Sequence, residues 1–260
     1  MAMQVELDGV TVDYEVIGTG EQVAFVHARP FECWYSPLVE RLSSYSVLRY
    51  RRTLPSDGSS FGIDDDAELC ARLMRHVGFD HAHLVGHSYG GLVALALASG
   101  DATSLRSVAL LEPASSGLLA PAEATAGVAP LVEASRSQGA DVAMDLFLRA
   151  VCGDDYRDLL DRLVPGAFAE ANEHADQFFR VELAAVAAWS FGPDDASRIA
   201  RPVLNVVGEA SAPRFVHGSE LIREWLPDSI QYVLPGTGHL MMAQNPRAMA
   251  ERLQQFWSVS

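Results

Sequence analysis

Two short alternating segments open the chain, residues 5–7 and 11–17, on either side of Asp8-Gly9; Val12, Tyr14 and Val16 are each followed or preceded by polar or acidic neighbours. A period of two broken by an Asp-Gly turn predicts a hairpin of half-buried antiparallel strands. The pattern then changes. Apolar runs at 22–27, 46–50, 82–86, 107–111, 203–207 and 230–234 show no alternation, which predicts strands covered on both faces. Between them, apolar residues recur at helical spacing over about 35–43, 64–77, 89–99, 216–226 and 246–257, the last opened by Asn245-Pro246 as N-cap and first helical residue. Strands that alternate with helices predict an α/β architecture, a mostly parallel central sheet with right-handed crossovers and helices on both faces.

Residues 113–201 break this rhythm. They hold no clear strand pattern, but carry helix-spaced apolar sets such as Ala143, Leu146, Phe147 and Ala150, and Phe179, Leu183 and Val186. Pro113, Pro121, Pro130, Pro165 and Pro193 punctuate the stretch into helices, and Pro202 marks the return to the sheet. The expected organisation is a core of residues 1–112 and 202–260 with a helical cap inserted at 113–201. Such an insertion is expected to lie as a lid over the C-terminal edge of the strands, where sheets of this kind bind ligands.

Composition narrows the classes. A chain of 260 residues with 49% hydrophobic content supports one large core. The net charge of −15 argues against binding nucleic acid or an anionic membrane surface. No apolar run reaches the roughly 18 residues of a membrane span, and the first residues lack a basic stretch followed by an apolar one, so a cytoplasmic protein, monomeric or homodimeric, is expected. Cys33, Cys70 and Cys152 are odd in number and widely spaced, which suggests neither a disulfide framework nor a metal site.

The chemistry is concentrated at His83-Leu84-Val85-Gly86-His87-Ser88-Tyr89-Gly90-Gly91. An apolar strand runs through Gly-x-Ser-x-Gly into a helix former, a sharp turn that only small residues at 86 and 90 permit. This turn lifts Ser88 Oγ into the open as a candidate nucleophile and aims the Tyr89 N–H at any oxyanion formed beside it. A serine hydroxyl needs a base. His239 is the best candidate, in the glycine-rich loop 234–240 that leaves the last strand toward the same sheet edge. His87, beside Ser88, reads as a packed or hydrogen-bonded neighbour, and the remaining histidines have no spacing that suggests a metal site. No cofactor and no metal are expected.

Together these features resemble the α/β-hydrolase fold family over nearly the whole chain: Val26-His27-Ala28-Arg29-Pro30 looks like its oxyanion loop, 86–90 its serine turn and Gly238-His239 its histidine loop. In most members an aspartate a few residues after the strand at 203–207 orients the histidine, and here that position falls on Ser211, which cannot be anionic. Some members instead place the acid at the end of the strand that follows the serine turn's helix, and here that residue is Glu112. A carboxylate ending an apolar strand needs a partner, which His239 could be. This arrangement remotely resembles the zearalenone-type lactonases, whose acid is a glutamate in this place; Glu209 is the alternative acid.

The resemblance implies an oxyanion hole formed by the Tyr89 N–H and one from the loop after His27, where Arg29 is the expected donor because Pro30 has no N–H. Phe31 and Trp34, with Phe147, Phe179 and Trp189 of the insertion, are the expected substrate-binding residues. The implied activity is a serine hydrolase cleaving a carboxylic ester or lactone of a hydrophobic small molecule through an acyl-enzyme. Carbon–carbon bond hydrolysis, cofactor-free oxygenation or cyclisation, and non-catalytic ligand binding are the alternatives on the same fold.

Overall fold

The computed structural model describes residues 3–52 and 61–260. Eight strands form one sheet: β1 (Met3–Leu7), β2 (Val10–Ile17), β3 (Glu21–Val26), β4 (Tyr45–Arg52), β5 (Ala82–His87), β6 (Leu105–Leu111), β7 (Val203–Gly208) and β8 (Ile230–Leu234). Their order is β1-β2-β4-β3-β5-β6-β7-β8. β1 pairs with β2, and β2 with β4, antiparallel, as the alternation at the start of the chain requires; every pairing from β4 through β8 is parallel.

The apolar runs at the centre of the sheet are buried on both faces. All six residues of β5 are buried, as are six of the seven in β6. Helices Ile63–His76 and Tyr89–Ser99 pack on each other, and the second is buried almost all round, which fits its nearly all-apolar sequence. β8 departs from expectation. It is the edge strand, covered by no further neighbour, and Ile230 and Val233 are exposed. An apolar run alone does not tell an edge from a centre. The expected helix at about 35–43 is also shorter: a 3₁₀ turn, Glu32–Tyr35, passes into a single helical turn, Ser36–Val39, with Pro37 at its start.

Between β6 and β7 the chain is helical, from a 3₁₀ turn at Ser115–Leu118 to the helix Pro193–Ala196. Pro130 sits inside the helix Pro121–Ser137 rather than ending it. A π-helical turn, Phe178–Glu182, interrupts the last long run. Parallel strands deliver their C-terminal ends to one side, so the residues after β3, β5, β6, β7 and β8 gather at a single sheet edge.

Candidate active site

Helix Tyr89–Ser99 starts one residue after β5 stops, and Ser88 fills the corner with φ 52° and ψ −117°. Left-handed backbone at a non-glycine residue stores strain of about 1–3 kcal/mol and persists only where its surroundings fix it. Here they do. The Ser88 N–H donates to the Leu111 carbonyl at 3.1 Å, and the Ser88 carbonyl accepts from the N–H groups of Gly91 and Ala114 at 3.0 and 2.9 Å. A Cβ at Gly86 would lie 2.2 Å from the Gly90 carbonyl oxygen, and one at Gly90 2.0 Å from that of Val26. Both positions therefore demand glycine.

Glu112 follows β6 with a left-handed φ of 44° and is buried. Its Oε1 accepts the Gly208 N–H at 2.7 Å and the Ser211 hydroxyl; its Oε2 lies 2.7 Å from Nδ1 of His239. A Cβ at Gly208 would meet the Thr237 carbonyl oxygen at 2.5 Å, so glycine is what lets the end of β7 touch the histidine loop. That loop is fixed along its length: the Ala210 N–H donates to the Thr237 carbonyl at 2.8 Å, the Gly236 N–H to Glu209 Oε2 at 2.8 Å, and the Gly238 N–H to Gln244 Oε1 at 2.8 Å. Glu209 is thus spent on backbone at the surface.

The His239 ring is 2% exposed and stacks on Phe215, with centroids 4.0 Å apart and planes 12° apart. Nε2 of His87 donates to the His239 carbonyl at 2.9 Å, and burial holds the His87 imidazole well below its usual pKa, neutral. With Nδ1 facing a carboxylate, the His239 tautomer leaves Nε2 as its basic nitrogen. Ser88 and His239 border one cavity, and no hydrogen bond joins their side chains in this arrangement. Among the described residues, no group of three or more His, Cys, Asp or Glu side chains could hold a metal ion.

The cavity is narrow, about 90 Å³, and mostly apolar. Phe31 and Trp34 from the loop after β3 line it, as does Phe147 from the helical segment. Phe179 and Trp189 do not: Phe179 is buried against Phe147 and Phe178, while the indole N–H of Trp189 donates to Asp64 at 3.0 Å and its ring stacks on Phe191. Phe178, one position from the expected Phe179, is the ring that faces the cavity, because the π-helical turn it opens shifts which side points inward. Phe215 and Arg214 also line it, and no motif announced them.

Arg29 is the larger correction. Its N–H, the expected oxyanion donor, donates to Glu182 Oε1 at 3.0 Å, and Arg29 does not line the cavity; Ala28 does, and no described residue accepts its N–H. Glu182, on the π-helical turn, also pairs with Arg52 at the end of β4, which pairs in turn with Asp66 at 2.8 Å. All three are buried, with two carboxylates to one guanidinium. Burial, only partly offset by Arg52, pushes the Glu182 carboxyl up to about 7. His27, its Nδ1 on the Ala28 carbonyl at 2.9 Å, is pushed down to about 3 by burial and stays neutral.

The same architecture recurs in known proteins. The model of the α/β hydrolase family matches residues 23–252. The chain belongs to the α/β hydrolase family. The enol-lactonase from Burkholderia xenovorans LB400 superposes with a TM-score of 0.85 at 18% identity, covering 98% of this chain and 100% of that one. A thermophilic esterase from Thermogutta terrifontis superposes with a TM-score of 0.84 at 19% identity, covering 99% and 98%. The dihydrolipoyllysine-residue acetyltransferase component of an acetoin cleaving system from Cupriavidus necator is 34% identical over 121 residues, 43% of this chain and 32% of that protein. The match therefore spans about a third of that relative's length. No helix among the described residues is long and apolar enough to cross a membrane.

Proposed function

We propose that the protein is a serine hydrolase that cleaves a carboxylic ester or lactone of an apolar small molecule through an acyl-enzyme. The observation that carries this reading is the 2.7 Å contact between Glu112 Oε2 and His239 Nδ1, with the imidazole bordering the same cavity as Ser88. The Ser88 hydroxyl attacks the carbonyl carbon and passes its proton to Nε2 of His239; Glu112 holds the tautomer and stabilises the imidazolium. Collapse of the tetrahedral adduct breaks the ester C–O bond, and the imidazolium protonates the departing alkoxide. A water then gives its proton to His239, attacks the acyl-enzyme, and releases the acid as Ser88 regains its proton. Such a hydrogen bond between nucleophile and base commonly tightens only when substrate is bound.

The Tyr89 N–H is one donor to the oxyanion, as a helix N-terminus offers. We assign the second to Ala28, because it lines the cavity and the Arg29 N–H is engaged by Glu182. The apolar wall from the helical segment, Phe147, Phe178 and Leu183 among it, acts as a lid that selects a hydrophobic substrate and excludes water. The structural resemblance to an enol-lactonase and an esterase supports the choice of ester or lactone. The test is labelling with an alkyl fluorophosphonate: covalent modification at Ser88 that His239→Ala abolishes is expected. An unlabelled serine in the intact protein overturns the reading.

A further inference from the structure

Arg214 is the only charged side chain among the described residues lining the cavity. It stands in the first turn of the helix Pro213–Trp225, next to the Phe215 ring that stacks on His239. Its Nη2 donates to the Ala150 carbonyl across the cavity, and its guanidinium carbon lies 5.6 Å from the Phe215 centroid. No carboxylate among the described residues pairs with it, whereas three other arginines at the borders of the core each meet at least one: Arg49 meets Glu15, Arg51 meets Glu32 and Glu170, and Arg52 meets Asp66 and Glu182. Burial of part of the side chain lowers the Arg214 pKa.

Arg214 is exposed on one side and lines the cavity on the other, so its guanidinium, without a carboxylate partner, is available to an anion that enters the cavity. The first turn of a helix, where the backbone dipole is already positive, adds to that attraction for an anion. In a chain with 34 acidic residues against 19 basic ones, a cavity-lining arginine without a carboxylate partner is hard to ascribe to a shortage of carboxylates.

We propose that Arg214 binds a carboxylate carried by the substrate, so that the preferred substrate is an ester or lactone whose apolar body bears one carboxylate. This deepens, and rests on, the ester-hydrolase reading. Planar bidentate pairing is what guanidinium offers a carboxylate, and the wall between Arg214 and Ser88 accommodates the apolar part that separates the anion from the reacting carbonyl.

The experiment measures kcat/KM for two pairs of aryl esters: one pair with a carboxylate on the acyl chain or its methyl ester, and one with a carboxylate on the alcohol or its methyl ester. The wild type is expected to prefer the anionic member of at least one pair by roughly ten- to a hundred-fold. Arg214→Gln is expected to remove that preference, and Arg214→Lys to restore part of it. Arg223→Gln, which removes an equal charge farther along the same helix, keeps it. Labelling of Ser88 by a neutral fluorophosphonate reports that each variant has folded. If neither anionic ester is preferred, or if the preference survives Arg214→Gln, the assignment is overturned while hydrolysis of the neutral esters leaves the ester-hydrolase reading standing. If Ser88 is unlabelled and no ester is cleaved, that reading falls and the Arg214 assignment falls with it.

Discussion

The two walls of the cavity are built on different terms. On the sheet side, around Ser88, Glu112 and His239, position comes from backbone: two residues sit at left-handed φ, three glycines face carbonyl oxygens closer than any side chain allows, and each Glu112 oxygen is matched to a donor. On the helical side, Phe147, Phe178, Leu183 and Val186 meet the cavity as packed apolar surface. Among the polar ties that join that side to the sheet are Arg52 to Glu182, Arg51 to Glu170 and Trp189 to Asp64. A wall made of close-fitted backbone fails sharply when one atom is added or one donor lost, while a wall of side chains can repack. The groups proposed to react stand on the first kind.

The largest expected loss comes from Glu112→Gln. The amide keeps the shape but can present an N–H to Nδ1 and so disfavour the productive tautomer, and kcat is expected to fall by about 10³- to 10⁴-fold. Thermal unfolding should show a folded protein, since Gln still accepts from Gly208 through its carbonyl oxygen. Glu209→Gln, tested in parallel, is expected to retain near-wild-type kcat because that side chain is exposed and hydrogen-bonds only the Gly236 N–H. The reverse result in the two variants would transfer the orienting role to Glu209. Gly90→Ala comes next. Its new methyl group would sit 2.0 Å from the Val26 carbonyl oxygen, with backbone on both sides, so a loss of about 3 kcal/mol or more in urea unfolding is expected. Phe147→Leu on the opposite wall is the control, with a far smaller change in stability.

Much of the sheet side was legible because its determinants are local. A Gly-x-Ser-x-Gly between an apolar strand and a helix former specifies a turn, and a glycine-rich loop after the last strand brings His239 to the same edge. Ser211 was the informative misfit: a hydroxyl where the family resemblance implied an aspartate pointed to Glu112, and the structure has that hydroxyl donating to Glu112. The helical side was less legible. Helical spacing identifies an apolar stripe but not its rotation, and the π-helical turn moved the inward position from Phe179 to Phe178. Arg29 failed for another reason: the residue that takes its N–H, Glu182, lies 153 positions away in sequence. Nothing local signals such a pairing, and the same holds for Arg214.

Glu182 also supplies the smallest of these effects and the one that tests how the walls are joined. Its carboxyl is held at about 7 by burial against an ordinary value of 4.5. Between those values the folded chain keeps a proton that the unfolded chain has released, so stability falls as pH rises through that window. The full shift corresponds to about 3 kcal/mol at most. The comparison that isolates it is urea unfolding of the wild type and Glu182→Gln at pH 5, 6, 7 and 8. The variant keeps the shape and can accept the Arg29 N–H through its amide oxygen, but it cannot titrate. The wild type is therefore expected to lose stability relative to the variant as pH rises, with most of the change complete near pH 7. A difference that stays flat over the same range would mean that Glu182 is ionised throughout and that Arg52, shared with Asp66, stabilises both charges. The contact between the helical segment and the sheet would then be a fully formed ion triad rather than a carboxyl group that holds its proton into neutral pH.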